Sequence, residues 1–168
     1  MHEYKTWNGP MPTTAAQASV ATASGVKTML QVATPSTRQL QIWEWGYSFD
    51  VASAGIMTVE LMQTDVAATV TAHVASGVQP LDPNAPASLA TLGTTATGYT
   101  STSEGATAAA RVFDAVKIPI AGGDNLRYTW QYTPVTAPIM AVSKFLRIRV
   151  TATTTTPTML CWVVWGGC

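Results

Sequence analysis

The chain has 168 residues and a mass of 17.7 kDa, the size of one domain around one hydrophobic core. Only 11% of its residues are charged and the formal net charge is +0, against roughly 25% charged in an average soluble domain. There is no basic field to gather phosphate backbones or anionic lipid, so neither nucleic acid nor membrane is an expected partner. With 47% hydrophobic residues and little like-charge repulsion to keep copies apart, self-association is expected.

The start, Met1 to Lys5, carries no apolar run of signal-peptide length, and the expectation is a protein made and kept in a cytoplasm. The stretch from Met1 to Gly25 is rich in Thr, Ala and Ser, is broken by Asn8-Gly9-Pro10 and Pro12, and shows no sustained period. It is read as an extended N-terminal arm ahead of a single domain, 26–168. Tyr4 and Trp7 are aromatic residues within that arm with no local core to join, so they are candidate interface residues, docking on another chain or on the flank of the domain.

From Lys27 the chain becomes a series of short β-branched and aromatic runs between Pro, Gly, Asn and Asp clusters, the pattern of an all-β antiparallel sandwich. The run Gln39 to Val51 places Trp43, Trp45, Tyr47, Phe49 and Val51 on one side of a period-two pattern, opposite Glu44, Gly46, Ser48 and Asp50. Further strands are predicted for Thr28 to Ala33, Ile56 to Thr64, Arg111 to Ile118, Leu126 to Tyr132, Phe145 to Thr151 and Met159 to Trp165. In Leu126 to Tyr132, the residues Leu126, Tyr128, Trp130 and Tyr132 share the predicted core face. In the next alternating run Leu146, Ile148 and Val150 oppose Arg147 and Arg149, which are assigned to surface ion pairs with Glu44 or Glu60, worth at most about 1 kcal/mol.

The middle, Asp65 to Gly105, differs. A short helical turn, or equally a strand or irregular segment, is predicted from Ala67 to His73, a rigid proline-rich loop from Gln79 to Pro86, and one helical turn from Ala87 to Leu92. Thr94 to Gly105 is poor in large apolar side chains and is read as a long exposed excursion, with Tyr99 as a candidate outward residue able to stack on a sugar.

The last run, Met159-Leu160-Cys161-Trp162-Val163-Val164-Trp165, does not alternate, so both faces call for burial. It is at seven residues far below the ~20 of a membrane helix. Two readings stand side by side: an inner strand of the sandwich, or a strand lining a subunit interface with Trp162 or Trp165 as anchor. Cys161 and Cys168 define no disulfide framework; a buried thiol and a frayed one are expected.

No catalytic constellation is legible. His2 lies in a loose terminus, and His73 has no nucleophile-elbow partner, so neither is assigned as a base. Asp82 and Asn84 offer too few oxygens for calcium and read as a turn; Gly122-Gly123-Asp124-Asn125 reads as a hairpin connection. A Glu44–Glu60 carboxylate pair is the one acid/base arrangement conceivable, and it is disfavoured. No metal and no cofactor is predicted, and the chain is not expected to be an enzyme.

The segments Lys27-Thr28-Met29-Leu30-Gln31-Val32-Ala33, Glu44-Trp45-Gly46-Tyr47-Ser48-Phe49-Asp50, Val59-Glu60-Leu61, Gln79-Pro80-Leu81-Asp82-Pro83 and Leu146-Arg147-Ile148-Arg149-Val150-Thr151-Ala152, with the closing Leu160-Cys161-Trp162-Val163-Val164-Trp165, resemble a group of small jelly-roll virion proteins of tailed phages of actinobacteria. The resemblance spans roughly Lys27 to Trp165. It departs at the end, where the group often has acidic residues and this chain has Gly166-Gly167-Cys168. What it implies is a jelly-roll protein located in a virion, as head decoration, head fibre or tail tip. The fold expected of the chain is a jelly-roll sandwich of about eight strands, and its expected place is the capsid surface of a virion assembled in the host cytoplasm. The resulting expectation is a decoration or cement subunit, a homotrimer bound to the outer lattice of the major capsid protein. The alternative expectation is a receptor- or glycan-binding head-fibre or tail-tip protein using Tyr99.

Overall fold

A computed structural model describes residues 2–106, 109–120, 126–154 and 157–167, with the backbone alone at Ala110. The connection 122–125 and Cys168, both read from the sequence, lie outside the described residues. The elements in chain order are β1 (Glu3–Trp7), β2 (Val20–Ala21), β3 (Gly25–Ala33), β4 (Leu40–Phe49), β5 (Met57–Thr64), β6 (Thr69–Ala72), a 3-10 turn (Ala75–Gly77), β7 (Val78–Pro80), β8 (Gly98–Ser103), β9 (Ala109–Ile118), β10 (Arg127–Gln131), β11 (Ile139–Met140), β12 (Phe145–Ala152) and β13 (Thr158–Gly167). They form two antiparallel sheets packed as a sandwich. The first runs β10-β4-β13-β1-β7, with β11 on β4 and β2 on β13; the second runs β6-β8-β3-β12-β5-β9. Very short strands such as β2, β7 and β11 raise the number above the eight or so expected.

The core follows from alternation. In β12 the side chains of Leu146, Ile148, Val150 and Ala152 are buried and meet Val59, Leu61 and Met57 of β5 on the same face. From the other sheet come Trp45, Tyr47, Met159, Cys161, Val163 and Trp165. Trp45, Tyr47 and Trp165 have no exposed surface, and each stabilises the fold by roughly 1.5–3 kcal/mol through removal of apolar area from water.

The period-two reading of β4 holds from Trp45 to Phe49 and fails at both ends. Val164 pairs with Glu44 while Trp165 pairs with Ile42, so Trp43 is the extra residue of a β-bulge. The insertion reverses parity: Leu40 and Ile42 turn into the core, while Trp43 is only half-buried. Val51 lies beyond the strand and is exposed.

The N-terminal stretch is not a free arm over its first residues. β1 is an inner strand, paired on one side with β13 from Glu3↔Gly166 to Trp7↔Trp162 and on the other with β7. Asn8 extends the pairing without being in the strand. Its backbone N–H donates to the Cys161 carbonyl at 3.0 Å, its Nδ2 donates to the Met159 carbonyl at 2.8 Å, and its Oδ1 accepts from Cys161 N at 2.9 Å. Asn8 is fully buried, and these bonds answer the cost of burying an amide. The residues that lack regular structure are those between Asn8 and Val20.

Of the readings at Ala67 to His73 the strand is the one present, and no helical turn forms from Ala87 to Leu92. The segment from Ala67 to His73 holds β6, as its β-branched Thr69, Val70 and Thr71 favour; near Ala87 to Leu92 the chain is irregular and Thr91 bridges to Ala33. The 3-10 turn lies between the two. The expected excursion from Thr94 contains β8, an inner strand between β6 and β3.

The outer face of the second sheet carries polar posts that hold loops down. Arg149 pairs with Glu60 at 3.0 Å, as one of the sequence alternatives has it. Arg147 is not a surface residue: its side chain is fully buried, 3.5 Å from the Glu104 carboxylate. It donates to the carbonyls of Glu104 and Val66, fastening the two loops that cross this face. Glu104 in turn accepts from Thr28 N and Thr28 Oγ1 at 2.6 Å. Gln31, also fully buried, donates to Ala96 O and accepts from Ala68 N.

Candidate interaction surfaces

The four residues expected at an interface are all drawn into the subunit, to different degrees. Tyr4 is buried, its hydroxyl donating to the Pro86 carbonyl at 2.9 Å and its ring 6.4 Å from that of Trp165. Trp165 is fully buried, because β13 lies between β4 and β1 and not at an edge. The inner-strand reading of the last run therefore describes β13. Trp162 points to the outer face of its sheet, yet only 8% of it is exposed. Trp7 packs on it with ring centroids 5.1 Å apart, Lys5 Nζ sits 4.5 and 5.2 Å from the two rings, and Trp162 Nε1 donates to Glu44 at 2.7 Å. Burial lowers the Lys5 pKa, with Glu44 acting in the opposite direction. Trp7 alone of the four keeps an intermediate exposure.

Tyr99 is not in an outward loop. It lies in β8, half-buried, with its ring centroid 4.9 Å from the His73 imidazole. His73 is buried and its Nε2 bonds the Trp7 carbonyl at 2.8 Å. A carbonyl only accepts, so Nε2 carries the proton. Burial lowers the pKa of the ring, and this bond opposes the shift.

Glu44 and Glu60 project from the outer faces of different sheets, Glu44 to Trp162 and Gln131, Glu60 to Arg149. They form no acid/base pair. Asp82 Oδ1 accepts from Asn84 N at 2.9 Å, an Asx-turn, which accounts for both residues. Among the described residues no group of three or more His, Cys, Asp and Glu is placed to hold a metal ion. Cys161 is a buried free thiol whose pKa burial pushes well up.

Two features were not foreseen. The first is a cleft of about 370 Å³ on the side where β9 and β10 face each other, lined by Phe113, Asp114, Tyr128, Trp130, Tyr132 and Thr136. Trp130 pairs with Trp45 across β10 and β4 and so shares its face, as the alternation predicts. But β10 is an edge strand, and Trp130 is 50% exposed. Asp114 is paired with Leu61 and shares the inward face of β9. Its Oδ2 accepts from Trp45 Nε1 at 3.1 Å and from the Tyr128 hydroxyl at 2.8 Å. Burial, then the Asp114 charge, raises the pKa of Tyr132 to about 12, and burial first of all raises that of Tyr128. The sequence signal for this cleft was a carboxylate at Asp114 in register with the apolar Val116 and Ile118.

The second is the placement of exposed large apolar side chains. Val74, Leu81, Leu89 and Leu92 are exposed around the β7 side, Leu92 sharing a hollow with Val78 and Pro80. Val112, Ile120 and Ile56 are exposed on the β9 side, the last two flanking a hollow with Lys117 and Pro119. β9 faces β10 across the cleft, and β10 and β7 end the first sheet on its two sides, so β7 and β9 lie on opposite sides of the sandwich; the 3-10 turn joins β7 to β6. β9, at ten residues, is also a much longer edge than β6 with four or β7 with three.

Comparison of the chain with protein-family models, with curated proteins and with solved structures finds no match.

Proposed function

We propose that this chain is a non-enzymatic structural protein of a tailed-phage particle, a decoration subunit that joins copies of itself and the major capsid protein on the outer surface of the head. Its work is contact area and not turnover. The resemblance carried by the β-strand segments supports the virion setting. The observation that carries the adhesive reading is the pair of apolar surfaces on opposite sides of the sandwich. Two different surfaces on one subunit suit a head-to-tail contact, and such a contact closes into a ring when its rotation allows, a trimer in this proposal. The long β9 edge adds a row of backbone donors and acceptors that a neighbouring strand can satisfy.

Co-sedimentation of the purified chain with phage capsids stripped of decoration proteins tests the reading. Saturable binding in multiples of the ring number, and capsids that withstand more heating once loaded, are the expected results. Capsids that sediment without the chain at micromolar concentration contradict it.

A further inference from the structure

We propose that the cleft between β9 and β10 is a binding site for a neutral saccharide. This goes beyond the structural role proposed above and does not depend on it. Four rings line the cleft, those of Phe113, Tyr128, Trp130 and Tyr132. Trp130 offers half of its surface to solvent, and an aromatic face held open beside polar groups suits a ligand that is apolar on one side and hydroxylated on its rim, as a pyranose ring is.

The polar group is Asp114. Its carboxylate has about four lone-pair sites, and three are taken: by Trp45 Nε1 and the Tyr128 hydroxyl on Oδ2, and by the Ala115 N–H at 2.8 Å on Oδ1. Among the described residues, one site on Oδ1 remains for a ligand hydroxyl, a charge-assisted bond. The Thr136 hydroxyl at the rim is held by Thr133.

The cleft is built before any ligand arrives. The Trp45 and Tyr128 rings lie 5.3 Å apart, and Tyr128 stacks on Tyr47 at 5.7 Å, so little ordering remains to oppose binding. None of the lining residues is cationic. The Arg111 guanidinium lies over the Phe113 ring and is engaged by Gln63 and the Ile139 carbonyl. A carboxylate without a counter-cation in the lining disfavours phosphate, sulfated or sialylated ligands and leaves neutral sugars. At about 370 Å³ the cleft is at the small end of ligand sites, about 300–1,000 Å³, and fits a short saccharide or the end of a chain. It opens on the inward face of β9, whereas Val112 pairs with Met62 and points to the other face, so the apolar contact surface and the cleft are separate.

The test is intrinsic tryptophan fluorescence of the full chain titrated with maltohexaose, cellohexaose and mannohexaose, with sialyllactose as the charged control. At least one neutral hexasaccharide is expected to shift the emission at millimolar concentration. Trp130→Ala should abolish the response or weaken it about tenfold, Trp130→Phe should retain binding detected by calorimetry, and Trp7→Ala should leave it unchanged. Far-UV circular dichroism of each variant checks folding. No response to any neutral sugar, a response surviving Trp130→Ala, or tighter binding of sialyllactose overturns the proposal. So does dissociation of an oligomer by Trp130→Ala with no sugar response, which assigns the cleft to a protein contact.

Discussion

The indole of Trp162 lies so close to Gly46 on the neighbouring strand that a Cβ at Gly46 would stand 2.5 Å from Trp162 Cζ2 and 2.7 Å from the Tyr128 carbonyl oxygen. Gly46 is therefore required by approach and not by backbone conformation. Replacing Gly46 by Ala forces the ring, and with it the Lys5–Trp7–Glu44 cluster, away from the sheet. A loss of about 1–3 kcal/mol is expected from overpacking of this kind, read as a lower urea midpoint; an unchanged midpoint would mean that the ring moves freely.

Glu104 and Arg147 make a second prediction. Removing one partner leaves a buried charge without its counter-ion, at a cost of about 3–5 kcal/mol. Glu104→Gln should approach that loss, because Arg147 is fully buried. The double variant Glu104→Gln with Arg147→Met should recover part of it, since no charge is then stranded. Guanidinium unfolding of Glu104→Gln, Arg147→Met and the double variant measures the coupling, and simple additivity of the two single losses would count against a buried pair.

A third concerns the N-terminus. Because β1 is an inner strand and Asn8 answers the backbone of β13, removal of residues 1–8 should abolish cooperative thermal unfolding. A truncated chain that still melts cooperatively near the wild-type midpoint would return this stretch to the status of an arm.

The fourth is pH dependence through His73. Its folded-state pKa lies below the ordinary 6.5, because burial disfavours the charged ring. The unfolded chain then binds a proton that the folded chain does not, so stability is fully present above about pH 6.5 and falls as the pH drops from there toward the folded-state value. The facing groups are the Trp7 carbonyl and the Tyr99 ring. His73→Gln should flatten the slope below pH 6.5 relative to wild type; parallel stability curves would contradict the assignment.

What the sequence made legible was local. Strict alternation in Leu146–Ile148–Val150 and in Trp45–Tyr47–Phe49 marks the core faces, since side chains one residue apart point to opposite sides of a strand. The all-apolar run that became β13 announced burial on two faces without saying what covers the second. That answer lay far away in the sequence, in Tyr4-Lys5-Thr6-Trp7, whose alternation is too short to read alone. Trp43 was misplaced because a bulge reverses parity and leaves no mark in composition. Tyr99 was misplaced because small residues around it read as a loop, while its neighbours in β6 and β3 supply the burial. Trp130 was given its right face, but alternation carries no information on whether a strand sits at an edge. Arg147 looked like its neighbour Arg149, and only the loops folded over it distinguish the two.

If neighbouring copies cover the apolar surfaces on opposite sides of the sandwich, as proposed, sedimentation velocity on the full chain across the micromolar range will show it. One closed oligomer, a trimer, is expected, with a mass that does not change with concentration and with dissociation to monomer on Leu89→Glu. A single monomeric species at every concentration, with Leu89→Glu indistinguishable from wild type, would contradict it.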